Sequence, residues 1–100
     1  MVKHIVMWKL LDHAEGATKK ENAVRLKEKL EALKDKISVI QSIEVGLNFN
    51  TTEAAFDVAL YSEFQSQQDL QTYQKHPEHV RVAALVNKVR LERAVVDYEI

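Results

Sequence analysis

From Val2 to Leu10 the residues sort onto two faces at a period of two. Val2, His4, Val6, Trp8 and Leu10 fall on one face, and Lys3, Ile5, Met7 and Lys9 on the other. That period of two predicts a strand, and the apolar residues on its second face imply that both faces are covered. A loop containing Gly16 follows over Leu11 to Ala17. The period then changes: Ala23, Leu26, Leu30, Leu33 and Ile37 recur at steps of three and four. Thr18 and Glu21 have the spacing of a capping box, so a helix is expected from Thr18 to about Lys36. Lys27, Glu28, Glu31, Lys34 and Asp35 form its solvated face.

Alternation returns in Ile40 to Asn50, where Ile43, Val45, Leu47 and Phe49 oppose Glu44, Gly46 and Asn48. A glycine in mid-strand predicts a bulge or the close approach of another group. A polar turn at Asn50 to Ala54 leads to a third strand, Ala55 to Phe64, with Phe56, Val58 and Leu60 on one face. Ser66 and Asp69 cap a short helix through Gln74. Pro77 suits the first position of a new helix, running to about Lys88, where its missing N–H costs nothing. The last strand is Leu91 to Ile100, with Ala94, Val96, Tyr98 and Ile100 on one face and Leu91, Arg93, Val95, Asp97 and Glu99 on the other.

The order β-α-β-β-α-β predicts an α+β, ferredoxin-like sandwich, a four-stranded antiparallel sheet with helices on one side. The other side keeps apolar residues such as Ile5 and Met7. A homodimer that covers it is therefore expected. Trp8, Phe49, Phe56 and Phe64 are read as core or dimer-interface residues.

The chain has 100 residues, 46% hydrophobic and 29% charged, and is read as one domain spanning residues 1–100. A net charge of -1 gives no electrostatic reason to expect nucleic acid or an anionic membrane as partner. Cysteine is absent, which excludes disulfides and thiolate metal sites. No segment is long and apolar enough to span a bilayer, and no signal peptide is evident at the amino terminus, so a cytoplasmic location is expected. Glycine-rich phosphate loops and nucleophile elbows are missing, and no nucleotide or flavin motif is present, so no cofactor is expected. His76 and His79 with His4 form no recognised zinc pattern, and no metal is expected either.

Candidate chemistry gathers in Tyr73-Gln74-Lys75-His76-Pro77-Glu78-His79-Val80. Here a phenol and imidazoles meet at a chain break, and such groups move protons near neutral pH. His79 falls in the first turn of the new helix, which favours its neutral, base-competent form. His76 suits the cap of that helix, and His13 lies in a charged, solvated loop.

Val2-Lys3-His4-Ile5-Val6-Met7-Trp8-Lys9, Ile43 to Asn48, Phe56 to Tyr61, Tyr73 to Val80 and Val96-Asp97-Tyr98-Glu99 together resemble the stress-responsive dimeric α/β-barrel (Dabb) family. The resemblance implies a dimer in which two four-stranded sheets close a barrel with the helices outside. Within that family, the polar residues resemble those of the olivetolic acid cyclase branch. That likeness implies His79 as a base removing a proton next to a carbonyl, Tyr73 as donor to the developing enolate, and His4 as their positioning partner. Glu21-Asn22-Ala23-Val24 lacks the aromatic residues that line the substrate-tail pocket in that branch, so the likeness does not extend to a long-chain substrate.

Two readings follow. One is a dimer performing cofactor-free acid/base chemistry, of cyclase or isomerase type, on a small carbonyl compound. The other is a stress-associated homodimer that binds a small apolar ligand without turnover, or is purely structural.

Overall fold

Alternation in the first strand decides the layering of the whole molecule. In the computed structural model, which describes all 100 residues, Met1–Ile100, strand β1 spans Val2–Leu10. Val2, His4, Val6, Trp8 and Leu10 are buried, while their neighbours are only half-buried. A two-residue hairpin follows, β2 (His13–Ala14) and β3 (Ala17–Thr18), in the stretch expected to be loop. Its turn places Glu15 and Gly16 at φ 50° and 73°, the left-handed region that glycine enters freely and glutamate rarely.

Helix α1, Lys19–Glu31, opens with the expected capping box. The Glu21 N–H donates to Thr18 Oγ1 at 3.2 Å, and the Thr18 N–H donates to Glu21 Oε1 at 2.9 Å. Its α geometry ends at Glu31, and a 3₁₀ turn over Ala32–Asp35 carries the stripe on through Leu33 to Ile37. Strands β4 (Ser42–Leu47) and β5 (Val58–Phe64) are shorter than the alternation suggested. At the near end of β5, Asp57 serves as a junction. Its backbone N–H donates to the Trp8 carbonyl at 2.8 Å, and its carboxylate accepts from the Leu10 N–H at 2.7 Å. Helices α2 (Gln67–Lys75) and α3 (Pro77–Val89) and strand β6 (Arg90–Glu99) complete the chain.

The four long strands form one antiparallel sheet in the order β4-β5-β1-β6, with the helices on one face, which is the ferredoxin-like arrangement. Leu26, Leu30, Leu33, Leu70, Val86 and Val89 from the helices pack against Val6, Val45, Leu60 and Phe64 from the sheet in a single core. Gly46 pairs in register with Ala59 without a bulge, and no group lies within 4 Å of the position its Cβ would take. The irregularity falls between Lys9 and Leu10 instead.

The opposite face presents Ile5, Met7, Ala59, Tyr61, Ala94, Val96 and Tyr98, with Val96 and Tyr98 exposed. Phe49 is no core residue: it lies beyond the end of β4, is 97% exposed, and borders a hollow of about 490 Å³ with Met7 and Phe56. The two edges of the sheet differ. At β4, α1 satisfies the backbone of Val45: Lys27 Nζ donates to its carbonyl at 2.6 Å, and its N–H donates to Glu31 Oε2 at 3.0 Å. That guards one edge against strand addition. The other edge strand, β6, is exposed along most of its length.

Candidate functional site

The break between α2 and α3 builds the site. Pro77 cannot donate a backbone hydrogen bond and pushes the preceding residue out of helical geometry, so His76 is extended, with φ -62° and ψ 135°. His76 Nδ1 then accepts from the Glu78 N–H at 3.1 Å, which makes this imidazole the cap of α3. The sharp turn brings the last full turn of α2 against the first turn of α3. Tyr73 and His79 come from these two turns, and their ring centroids are 4.5 Å apart.

From the sheet side, His4 projects toward the same pair, with its ring centroid 6.2 Å from that of Tyr73 in an edge-on arrangement. Phe64 supports the phenol from below at 5.0 Å. The three residues singled out in the sequence therefore converge. They line a cavity of about 80 Å³ together with Trp8, Leu60, Val86 and Arg93. Asn87 and Arg93 are the exposed members of that lining, so the cavity meets solvent beside strand β6.

A hydrogen bond fixes the tautomer of His79. His79 Nδ1 lies 3.0 Å from the Gln74 carbonyl oxygen, which can only accept, so Nδ1 carries the hydrogen and Nε2 keeps a free lone pair. Burial pushes the His79 pKa below its ordinary 6.5; the Gln74 contact opposes this, and His4 and Arg93 nearby add to the depression. The ring is thus neutral at pH 7. His4 is buried and bonded through Nδ1 to the Asp97 carboxylate, which fixes the orientation of its ring.

Tyr73 is fully buried, and its hydroxyl has no hydrogen-bond partner. Burial drives its pKa far above the usual phenol range, so it stays protonated and can only serve as a donor to a developing anion. No group of three or more His, Asp or Glu side chains gathers in a metal-binding arrangement.

Two contributors escaped the sequence reading. Asp97 faces His4 because β6 lies beside β1 with those two residues in register. Trp8, read as a core or dimer-interface residue, also lines the cavity, and its buried indole Nε1 lacks a partner. A signal for the first was present in the sequence. The face of β6 that carries Arg93 and Asp97 is the one turned toward the helices, where charge needs a reason.

Residues 2–100 match the Stress responsive A/B Barrel Domain (Dabb) family. The chain belongs to the Dabb family. Among curated Dabb relatives, the stress-response A/B barrel domain-containing protein DABB1 of Arabidopsis thaliana is 30% identical over 98 residues. The match covers 98% of this chain and 46% of the relative, so the chain spans about half of that protein's length. A crystal structure from Bacteroides fragilis is 45% identical, with a TM-score of 0.85 over 99% of this chain and 95% of that one. It is described as a dimeric protein of unknown function with a ferredoxin-like fold. Hydroxynitrile lyase from Passiflora edulis shares the fold at 17% identity, with a TM-score of 0.82 over 99% of this chain and 92% of that one. The ferredoxin-like fold of the Bacteroides fragilis structure agrees with the strand order described above.

Proposed function

We propose that this Dabb chain is a homodimer whose cavity between sheet and helices performs cofactor-free acid/base chemistry on a small carbonyl compound. The observation that carries this reading is the pairing of a neutral imidazole, its Nε2 free, with a buried phenol that has no partner of its own. In the reaction, His79 Nε2 takes the proton next to the carbonyl. The Tyr73 hydroxyl donates to the carbonyl oxygen as it gains negative charge, a contact worth more in a dry site than in water. His4, held by Asp97, supports the phenol ring and positions it. The proton then returns from His79 to carbon, as in an isomerisation, or the enolate carbon bonds to a second carbonyl carbon, as in a cyclisation, and the proton passes from His79 to the alkoxide so formed.

The second half of the proposal is self-association. Ile5, Met7, Ala59 and Val96 leave an apolar patch on the helix-free face, and the dimeric Bacteroides fragilis relative is 45% identical. A second copy over that face would cover the patch. The alternative reading, a binding or structural homodimer without turnover, draws on the modest size of the cavity.

The deciding experiment is proton–deuterium exchange next to the carbonyl of small ketones and β-keto thioesters, followed by NMR, for the wild type and His79→Ala. Exchange that drops about 10²-fold or more in the variant, with the dimer retained, supports acid/base catalysis. Equal exchange in both proteins would leave the binding or structural reading.

A further inference from the structure

The cavity has a buried donor, the Trp8 indole, that the acid/base reading does not use. Two of the side chains that line it hold buried polar atoms without a partner, the Tyr73 hydroxyl and the Trp8 indole Nε1, and these residues are 0% and 5% exposed. The indole N–H is a donor only. Tyr73 stays protonated, so it too offers a hydrogen. Arg93, pairing with Trp8 across β1 and β6, adds a guanidinium at the solvent side of the same cavity. A buried donor left unpaired is costly, and natural structures retain one where something else satisfies it. Two unpaired donors and a cation among the side chains that line one small space favour oxygen atoms carrying negative charge.

Size narrows the class further. About 80 Å³ holds roughly three water-sized groups, given about 30 Å³ for each. Resting on the acid/base reading of this site, we infer that the cavity is built for a small oxyanion, the carboxylate or enolate of a ligand with three or four non-hydrogen atoms in the pocket. Trp8 Nε1 and the Tyr73 hydroxyl are its paired donors, and Arg93 draws it in. Trp8 is then the residue that sets specificity, a role apart from its place in the core.

Trp8 is the single tryptophan of the chain, so its indole N–H gives one resonance in a ¹H–¹⁵N spectrum of the intact protein. The probes are sodium formate and sodium acetate, with acetamide as an uncharged molecule of acetate's size, sodium octanoate as an oversized anion, and sodium chloride to match ionic strength. Formate and acetate should move the indole resonance downfield and saturably. Acetamide should bind at least about tenfold more weakly, since a hydrogen bond to an anion is roughly twice as strong as a neutral one and Arg93 adds its charge. Octanoate should bind more weakly than acetate. Arg93→Gln, an exposed substitution, and Tyr73→Phe should each weaken acetate about tenfold.

An indole resonance that ignores formate and acetate overturns the inference. So does equal binding of acetate and acetamide, which would mean an apolar hole rather than an anion site. The acid/base reading fails separately: carboxylate binding without carbon-bound proton exchange sinks that reading alone, and exchange without carboxylate binding sinks this one alone.

Discussion

Replacing Tyr73 by phenylalanine should make the protein more stable, against the usual effect of removing a buried hydroxyl. The ring contacts survive the change: Phe64 at 5.0 Å and His79 at 4.5 Å touch the aromatic carbons. What goes is a hydroxyl that folding strips of water without giving it a partner. Burial of such a group costs about 1–3 kcal/mol in proteins, and the cavity left by one oxygen returns only part of that. The net gain should be about 1 kcal/mol, which for a domain of this length raises the midpoint of thermal unfolding by about 4–8 °C. Unfolding should be followed by far-ultraviolet circular dichroism at fixed protein concentration, because self-association also shifts the midpoint. The same variant should lose about 10²-fold of carbon-bound proton exchange, as expected when a donor to a developing oxyanion is removed. A lower midpoint for Tyr73→Phe would refute the reasoning, because it would show that the hydroxyl makes a bond worth more than its burial.

Further outcomes concern pH, the dimer and the guarded edge. His79 has a folded pKa below 6.5, so the unfolded chain binds the extra proton first; its contribution to stability is complete above about pH 6.5 and is lost as pH falls toward the folded value. Denaturant titrations should show that slope in the wild type and a flatter one in His79→Gln. Met7→Asp, on the helix-free face, should shift light scattering from about twice 11.5 kDa toward the monomer, or prevent folding, by burying an unpaired charge; an unchanged dimer would place the interface elsewhere. Glu31→Ala removes the acceptor of the Val45 N–H and the ion pair with Lys27, and should cost about 1–2 kcal/mol in urea unfolding and increase aggregation through the β4 edge. No loss in either measurement would mean that the edge needs no guard.

Much of this was legible in the sequence, because single residues carried the instructions. Alternation from Val2 to Leu10 set the sheet faces, Thr18 and Glu21 started α1, and Pro77 broke the second helical region where Tyr73 and His79 had to meet. The convergence of His4 with that pair followed from its place on the helix-facing side of β1. Other features were hidden for physical reasons. The β2–β3 hairpin turns on Glu15 in a left-handed conformation, and a glutamate gives no warning of that. Ala55 and Phe56 alternate correctly, yet β5 begins only at Val58, after the backbone and side chain of Asp57 have bonded to β1. Phe49 continues the β4 pattern but lies beyond the last paired residue, where only contact with another surface would bury it. Asp97 required the pairing register as well as the alternation, and the lone donor on Trp8 required the atoms around it.

The role of His79 as the base requires that its Nε2 be the bare nitrogen. Two-bond ¹H–¹⁵N correlation spectra at pH 7 distinguish the two neutral tautomers of each of the four histidines. His79 should appear neutral, with the hydrogen on Nδ1 and the lone pair on Nε2. A hydrogen on Nε2, or a protonated ring at that pH, would contradict the assignment of His79 as the base.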